Sequence, residues 1–200
     1  MPSFDYEKQH LDPVAGVDEV GYGAWAGPVF TCACVLDPLK LSDFLLNKLN
    51  DSKKLSLKKR ELLFEELIAS PGVQYTLGFS TPQEIDGMNV LKATHLAMQR
   101  ALDGLEGLKT VLVDGKNKPL LNIPVFTIID GDEKSYSIAA ASIIAKVTRD
   151  RVMKELHEQY PHYGWDKNVG YGTRLHQEGL KMFGVTSEHR KTYKPIQKYL

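Results

Sequence analysis

The chain has 200 residues, 42% of them hydrophobic, with 25 basic and 25 acidic side chains and a formal net charge of zero. That length and apolar content suffice for one full core, so a single globular unit over residues 1–200 is expected, and overall charge gives no argument for a polyanionic partner. No apolar run reaches the roughly 18 residues of a membrane span, and the opening MPSFDYEKQH has neither a basic start nor an apolar h-region, so a cytoplasmic protein without membrane contact is expected.

The first third alternates in the manner of strands, VAGVDEV followed by PVFTCACVL, joined by a Gly-rich connection short enough for an antiparallel pair. Cys32 and Cys34 lie two apart in the second strand, on the same face, which rules out ordinary disulfide geometry and predicts buried free thiols. Pro38 closes that strand, and a short amphipathic stretch over 43–49 leads into the polar loop NDSKKLS. Ser56 caps a helix whose Leu57, Leu62, Leu63, Leu67 and Ile68 recur at helical spacing until Pro71 and Gly72 stop it.

Residues 73–80 read as a third strand. Thr81, Pro82, Gln83 and Glu84 have the pattern of a capping box with proline at the first helical position, opening a helical run to about Leu105 with a break near Gly87. Residues 110–114 and 124–129 are short apolar strands, each running into acids. A long helix is predicted over 135–160, with Ile138, Ala141, Ile144, Ala145 and Val152 toward the core. The remainder, past Pro161, is aromatic and basic and helical in pieces.

The segment VDEVGYGAWAGP sets Asp18 and Glu19 side by side at the end of an apolar run and follows them with Gly21, Gly23 and Gly27. Adjacent carboxylates repel and, on a strand, point to opposite faces; a cation relieves the charge. Glycines just beyond let a backbone N–H approach something large. Asp114 before Gly115 and Asp132 after Gly131 repeat the pairing of a strand-end acid with glycine, and in α/β proteins strand ends converge on one site. Four such acids, all oxygen donors, suit two Mg²⁺ or Mn²⁺ ions about 4 Å apart and in-line phosphate-ester hydrolysis. His157, His162, His176 and His189 have no zinc-like spacing. Basic clusters, Lys53, Lys54, Lys58, Lys59 and Arg60, then Lys181, Arg190, Lys191, Lys194 and Lys198 with His189 beside them, fit a nucleic-acid track. His95 and Trp25 read as packing residues.

Taken in order, VAGVDEVGYGAWAGPV, LNDSKKLS, EIDGMNVLKATHLAMQRAL, VLVDGK, the GD at 131–132, AAASIIAKVTRDR, YPHYGW and GYGTRLH resemble ribonuclease HII, the type 2 ribonuclease H, through nearly the whole chain. The resemblance implies an α/β ribonuclease H-like fold, a mixed five-stranded sheet flanked by helices, with a C-terminal helical region over about 161–200 that helps grip the duplex. It implies cleavage of the RNA strand of RNA–DNA hybrids and incision at ribonucleotides embedded in DNA, leaving 3′-hydroxyl and 5′-phosphate ends, in DNA replication and repair. By motif position Asp18, Glu19, Asp114 and Asp132 match the catalytic, metal-binding carboxylates. Gly21 and Gly23 match glycines whose backbone approaches the ribonucleotide 2′-hydroxyl, and Tyr171 matches a tyrosine that packs on the sugar. Lys53 or Lys54, Lys146 and Arg149 match basic positions near the site and are candidate phosphate contacts. A monomer is the simplest expectation.

The chain also departs from the family pattern. Tyr22 stands where the family usually carries arginine, Asp130 where a basic residue often precedes the GD pair, and Asn168 and Val169 where His-Lys is usual. Tyrosine offers one hydroxyl and a ring in place of a charged bidentate fork. Three losses of positive charge predict weaker incision at a single embedded ribonucleotide than on longer hybrids, or an affinity that depends more on metal and low salt. Two alternatives stand beside this reading: a ribonuclease HIII-like preference for long hybrids, against which Asp132 and the early first strand argue, and a catalytically weak hybrid-binding protein, against which the four intact acids argue.

Overall fold

The computed structural model describes residues 2–49, 52 and 55–200. Five strands, β1 (Val14–Val20), β2 (Val29–Leu36), β3 (Val73–Ser80), β4 (Thr110–Asp114) and β5 (Val125–Ile128), form one mixed sheet in the order β3-β2-β1-β4-β5. The β1–β2 and β2–β3 pairs are antiparallel; β1–β4 and β4–β5 are parallel. The helices are α1 (Asp43–Lys48), α2 (Leu57–Ala69), α3 (Pro82–Met88), α4 (Val90–Asp103), α5 (Tyr136–Gln159), α6 (Trp165–Asn168), α7 (Arg174–Phe183) and α8 (Lys194–Gln197).

Local chemistry sets the helix starts. The Ser56 hydroxyl accepts from the Lys59 N–H at the head of α2, and the Ser135 hydroxyl accepts from Ile138 at the head of α5. Thr81 and Glu84 form the reciprocal capping box expected for α3. The predicted break near Gly87 falls instead at Asn89, which adopts φ 71° and whose side chain accepts from the Lys92 N–H to start α4. Asparagine tolerates that left-handed backbone and caps as well, whereas Gly87 stays helical.

Two glycines bring helices onto opposite faces of the sheet. A Cβ on Gly16 of β1 would lie 2.3 Å from the Ile138 backbone of α5, and one on Gly78 of β3 would lie 2.1 Å from the Ala97 carbonyl of α4. On the α5 side Cys32, Cys34, Leu45, Leu63, Ile143 and Ile144 share a buried cluster, both cysteines being free thiols on one face as expected. On the α4 side Ala15, Val17, Met98, Ala101, Val111 and Val113 form the second. Along α5 Ile138, Ala141, Ile144 and Ala145 are buried as expected; Val152 is only half-buried because the neighbouring Met153 takes the inward position. A third cluster joins Ala26 and Met153 to Tyr163, Trp165, Leu180 and Ile196, tying the C-terminal helices to the loop after β1. No helix among the described residues is long and apolar enough to cross a membrane.

Candidate active site

Strand alternation decides where each acid goes. Ala15 and Val17 of β1 face α4, so Gly16 and Asp18 face α5; on β4, Val111 and Val113 face α4, so Leu112 and Asp114 share the α5 side. Because Val17 pairs with Val113 in parallel register, Asp18 and Asp114 follow side by side on adjacent strands. Asp132 comes from the 3₁₀ turn Gly131–Glu133, just ahead of α5. Each of Asp18, Asp114 and Asp132 offers a carboxylate oxygen within 4.8 Å of the others. The Asp114 carboxylate is fixed by the Gly131 N–H at 2.7 Å, which couples the end of β4 to the turn that carries Asp132.

Glu19 stands apart from this trio. Its N–H donates to Asp18 Oδ1 at 2.7 Å, but its side chain lies on the α4 face of the strand and lines a small cleft with Tyr22, Thr94, His95, Asp114 and Asn117. Burial, then the charge of Glu19, then that of Asp114 raise the Asp18 carboxyl well above the usual carboxylate range; a hydrogen bond from Ser142 of α5 works the other way. A cation among these oxygens would relieve that repulsion, and three carboxylates without a cysteine or histidine suit a hard ion such as Mg²⁺ or Mn²⁺. The residues therefore fit the expected metal.

The glycine loop and the Tyr171 segment meet beside the acids. Trp25 and Ala26 N–H groups both donate to the Gly170 carbonyl, at 2.8 and 3.2 Å. The nearest atom to a Cβ built on Gly23 is Tyr171 Cε1 at 3.8 Å, and Tyr171 is 40% exposed. Gly172 packs against the Trp25 ring, as the packing role expected for Trp25 requires. Tyr22 is exposed, and partial desolvation, followed by the nearness of Tyr193 and Glu19, raises its pKa.

Several basic residues differ from expectation. Arg149 has no exposed surface: Nε donates to the Pro28 carbonyl at 2.8 Å, Nη1 to Val169 at 2.8 Å and Nη2 to Ala26 at 3.2 Å. It is not a phosphate contact here, because the carbonyls that saturate its guanidinium all lie inside; burial pulls its pKa down to about 10, still charged at neutral pH. Arg190 and His189, expected on a basic track, are also wholly buried. Asn168, which stands with Val169 in place of the usual His-Lys, is buried and holds its own turn, donating to the Tyr163 carbonyl and accepting from the Gly170 N–H. Asp130 is exposed in the left-handed region at φ 54°. Lys146 pairs with Asp150 at 2.7 Å and keeps a fifth of its side chain exposed. Lys53 and Lys54 lie outside the described residues, whereas the buried Ser52 hydrogen-bonds Ser142 of α5 at 2.9 Å.

Two buried histidines without metal-like spacing, His176 and His189, form a defined proton chain. Thr186 N–H donates to His189 Nδ1, so His189 carries its proton on Nε2 and donates it to His176 Nε2 at 3.0 Å. His176 Nδ1–H then donates to the Tyr171 carbonyl at 3.0 Å. A carbonyl only accepts and an amide only donates, so both ends of the chain dictate the same tautomers. Pairing of His176 with His189 has no sequence signature, since neither spacing nor burial of a histidine is written in its neighbours.

Residues 15–196 match the family model described as Ribonuclease HII. Ribonuclease HII of Jannaschia sp. (strain CCS1) is 49% identical over 201 residues, covering 100% of this chain and 98% of that protein; the one from Anaplasma marginale (strain St. Maries) is 50% identical, covering 98% and 82%. Among solved structures, ribonuclease H2 from Pyrococcus horikoshii OT3 superposes with a TM-score of 0.74 at 30% identity, covering 93% of this chain and 96% of that one. Ribonuclease HII in the PCNA complex from Archaeoglobus fulgidus gives 0.76 at 26%, covering 90% and 95%. Fold and site thus define a metal-dependent nuclease of ribonuclease H-like architecture. The chain belongs to the ribonuclease HII family, and it is an endoribonuclease with ribonuclease H activity on RNA–DNA hybrids.

Proposed function

We propose that this protein hydrolyses the RNA strand of RNA–DNA hybrids to 3′-hydroxyl and 5′-phosphate ends, and also incises, more slowly, at single ribonucleotides embedded in DNA. The observation that carries the reading is the convergence of Asp18, Asp114 and Asp132 within 4.8 Å, next to a glycine loop faced by an exposed tyrosine. Asp18, Asp114 and Asp132 would hold Mg²⁺ or Mn²⁺, with Glu19 at the cleft edge completing the acidic set. Bound there, the metal supplies Lewis-acid stabilisation of the scissile phosphate and a water of lowered pKa.

The chain's own groups handle the substrate. Gly21 and Gly23 leave the backbone bare for the ribose, where the 2′-hydroxyl is the feature that separates RNA from DNA. Tyr171 offers an exposed ring to the sugar, Tyr22 a hydroxyl at the mouth of the cleft, and Lys146 with Lys53 or Lys54 the phosphate contacts. Residues 1–200 act as one catalytic unit, with the stretch past 161 helping to hold the duplex. The chain works in the cytoplasm, as a monomer, in DNA replication and repair.

A labelled hybrid and a DNA duplex carrying one ribonucleotide, each incubated with purified protein and Mg²⁺ or Mn²⁺, test this. Cleavage of both with a 5′-phosphate on the downstream product is expected, and Asp18→Asn should lower the rate by about a thousandfold or more. Cleavage that persists in chelator, or in Asp18→Asn, would overturn the assignment.

A further inference from the structure

The Gly21–Pro28 loop carries an unusual load for a glycine turn: two fully buried arginines, neither with a carboxylate in ion-pairing distance among the described residues. A buried cation without a counter-ion is costly, and it persists only where backbone dipoles satisfy it. Arg190 reaches the loop from 169 positions downstream of Gly21. Its Nη2 donates to the Gly21 carbonyl at 2.7 Å, Nη1 to the Tyr22 carbonyl at 2.8 Å, and Nε and Nη2 to the Gly27 carbonyl at 3.1 and 3.0 Å. The Tyr193 hydroxyl accepts from the same guanidinium and donates to the Tyr22 carbonyl at 2.8 Å.

Peptide geometry turns these bonds into a statement about the opposite side of the loop. In a trans peptide the carbonyl of one residue and the N–H of the next point in opposite directions. Drawing the Gly21 and Tyr22 carbonyls inward therefore turns the N–H groups of Tyr22 and Gly23 outward. Neither N–H donates to any described residue, both residues are exposed, and the exposed Tyr171 ring stands over Gly23. Hydrogen bonds in series polarise one another, so a cation on the carbonyl side makes each outward N–H a better donor.

We propose that Arg190 is a positioning residue for ribose recognition, aiming the Tyr22 and Gly23 amides at an oxygen of the substrate sugar. Arg149 supports the same loop from the Ala26 and Pro28 carbonyls, and its side chain occupies the place where a Cβ on Gly21 would fall, 2.1 Å from Nε. Lysine at position 190 keeps the charge but cannot span three carbonyls. The inference rests on the hybrid-cleaving reading above.

The test compares wild type with Arg190→Lys for KM and kcat on a hybrid, and for inhibition by a DNA duplex of identical sequence. The proposal expects KM for the hybrid to rise about tenfold while kcat changes less, Ki for the DNA duplex stays put, and Mn²⁺ raises the melting temperature as in wild type. Parallel weakening toward hybrid and DNA, or an unchanged KM in a folded variant, would overturn it. Amide exchange on the wild-type protein keeps the question open to refutation even where the variant does not fold. The Tyr22 and Gly23 N–H groups should exchange fast in free protein and become protected by hybrid but not by matched DNA; no difference defeats the proposal. Wild-type protein that handles hybrid and DNA duplex alike would remove the hybrid reading itself, a result distinct from a failure of Arg190 alone.

Discussion

At position 22 a tyrosine replaces the arginine usual in the family, and the structure divides that residue into two parts. Its carbonyl is held from within by Arg190 and Tyr193, whereas its side chain is exposed at the cleft. Exchanging the side chain should therefore leave the loop's backbone in place. Tyr22→Arg restores a charged fork able to bind phosphate in bidentate fashion, and a charge-assisted contact of that kind contributes about 1.5–3 kcal/mol. Incision at a single embedded ribonucleotide should rise about tenfold or more, with a smaller gain on long hybrids, where many phosphates already contribute. Side-by-side kinetics on the two substrates checks this, and equal gains on both would show that phosphate grip at residue 22 does not limit the shorter site. Val169 presents the reverse case. It is β-branched yet sits at φ 44°, a strained conformation that the Arg149 bond to its carbonyl helps to hold.

Among the elements, the packing of α7 and the chain after it against the glycine loop depends on neutral histidines. Burial, and then the neighbouring His176, push the His189 pKa down to about 3; burial also lowers that of His176. The groups facing this pair include Thr186, Trp25, Trp165, Tyr163 and the Tyr171 carbonyl, none of which supplies negative charge to an imidazolium. The unfolded chain thus binds more protons than the native one below the ordinary histidine pKa of about 6.5, so stability is full above that pH and falls as pH drops from about 6.5 toward 3. Calorimetry from pH 7.5 to 5 should show a falling melting temperature, flattened in His189→Asn; a flat wild-type profile would contradict the neutral chain. Much at this scale is legible in one dimension. Ser56 and the Thr81–Glu84 box announce their helices because a cap is a contact between near neighbours, and the period of two on β1 already separates Asp18 from Glu19. The interior roles of Arg149, Arg190 and Asn168 are not legible in the same way. What holds the two arginines are main-chain carbonyls brought from far along the chain, and a carbonyl belongs to every residue alike, so a buried arginine and a solvated one carry the same letter; Asn168 bonds within its own turn, whose burial is set by distant packing.

For the molecule as a whole, the sheet order β3-β2-β1-β4-β5 places β1 in the middle and β4 beside it in parallel, which is why acids 18 and 114 arrive together. The turn before α5 adds Asp132, and the repulsion within the trio is a stress on the metal-free fold. Binding that relieves it stabilises the native state by mass action, about 2.7 kcal/mol at a hundredfold excess over Kd, which for a chain of this size raises the melting temperature by roughly 5–10 °C. Mg²⁺ or Mn²⁺ should produce that rise in calorimetry, and Asp18→Asn should abolish most of it while melting higher than wild type in chelator. No response to either ion in the wild-type protein would argue against a preorganised acidic site. The long reach of Arg190 has a consequence for how the protein comes into being. A ribosome that has delivered β1 through α5 has supplied every sheet strand and the four acids of the site, yet the Gly21 and Tyr22 carbonyls still lack the guanidinium that draws them inward. Recognition of the ribose therefore waits for residue 190 to fold back, so a nascent chain stalled short of it holds the acids of the site without the brace that aims the neighbouring amides.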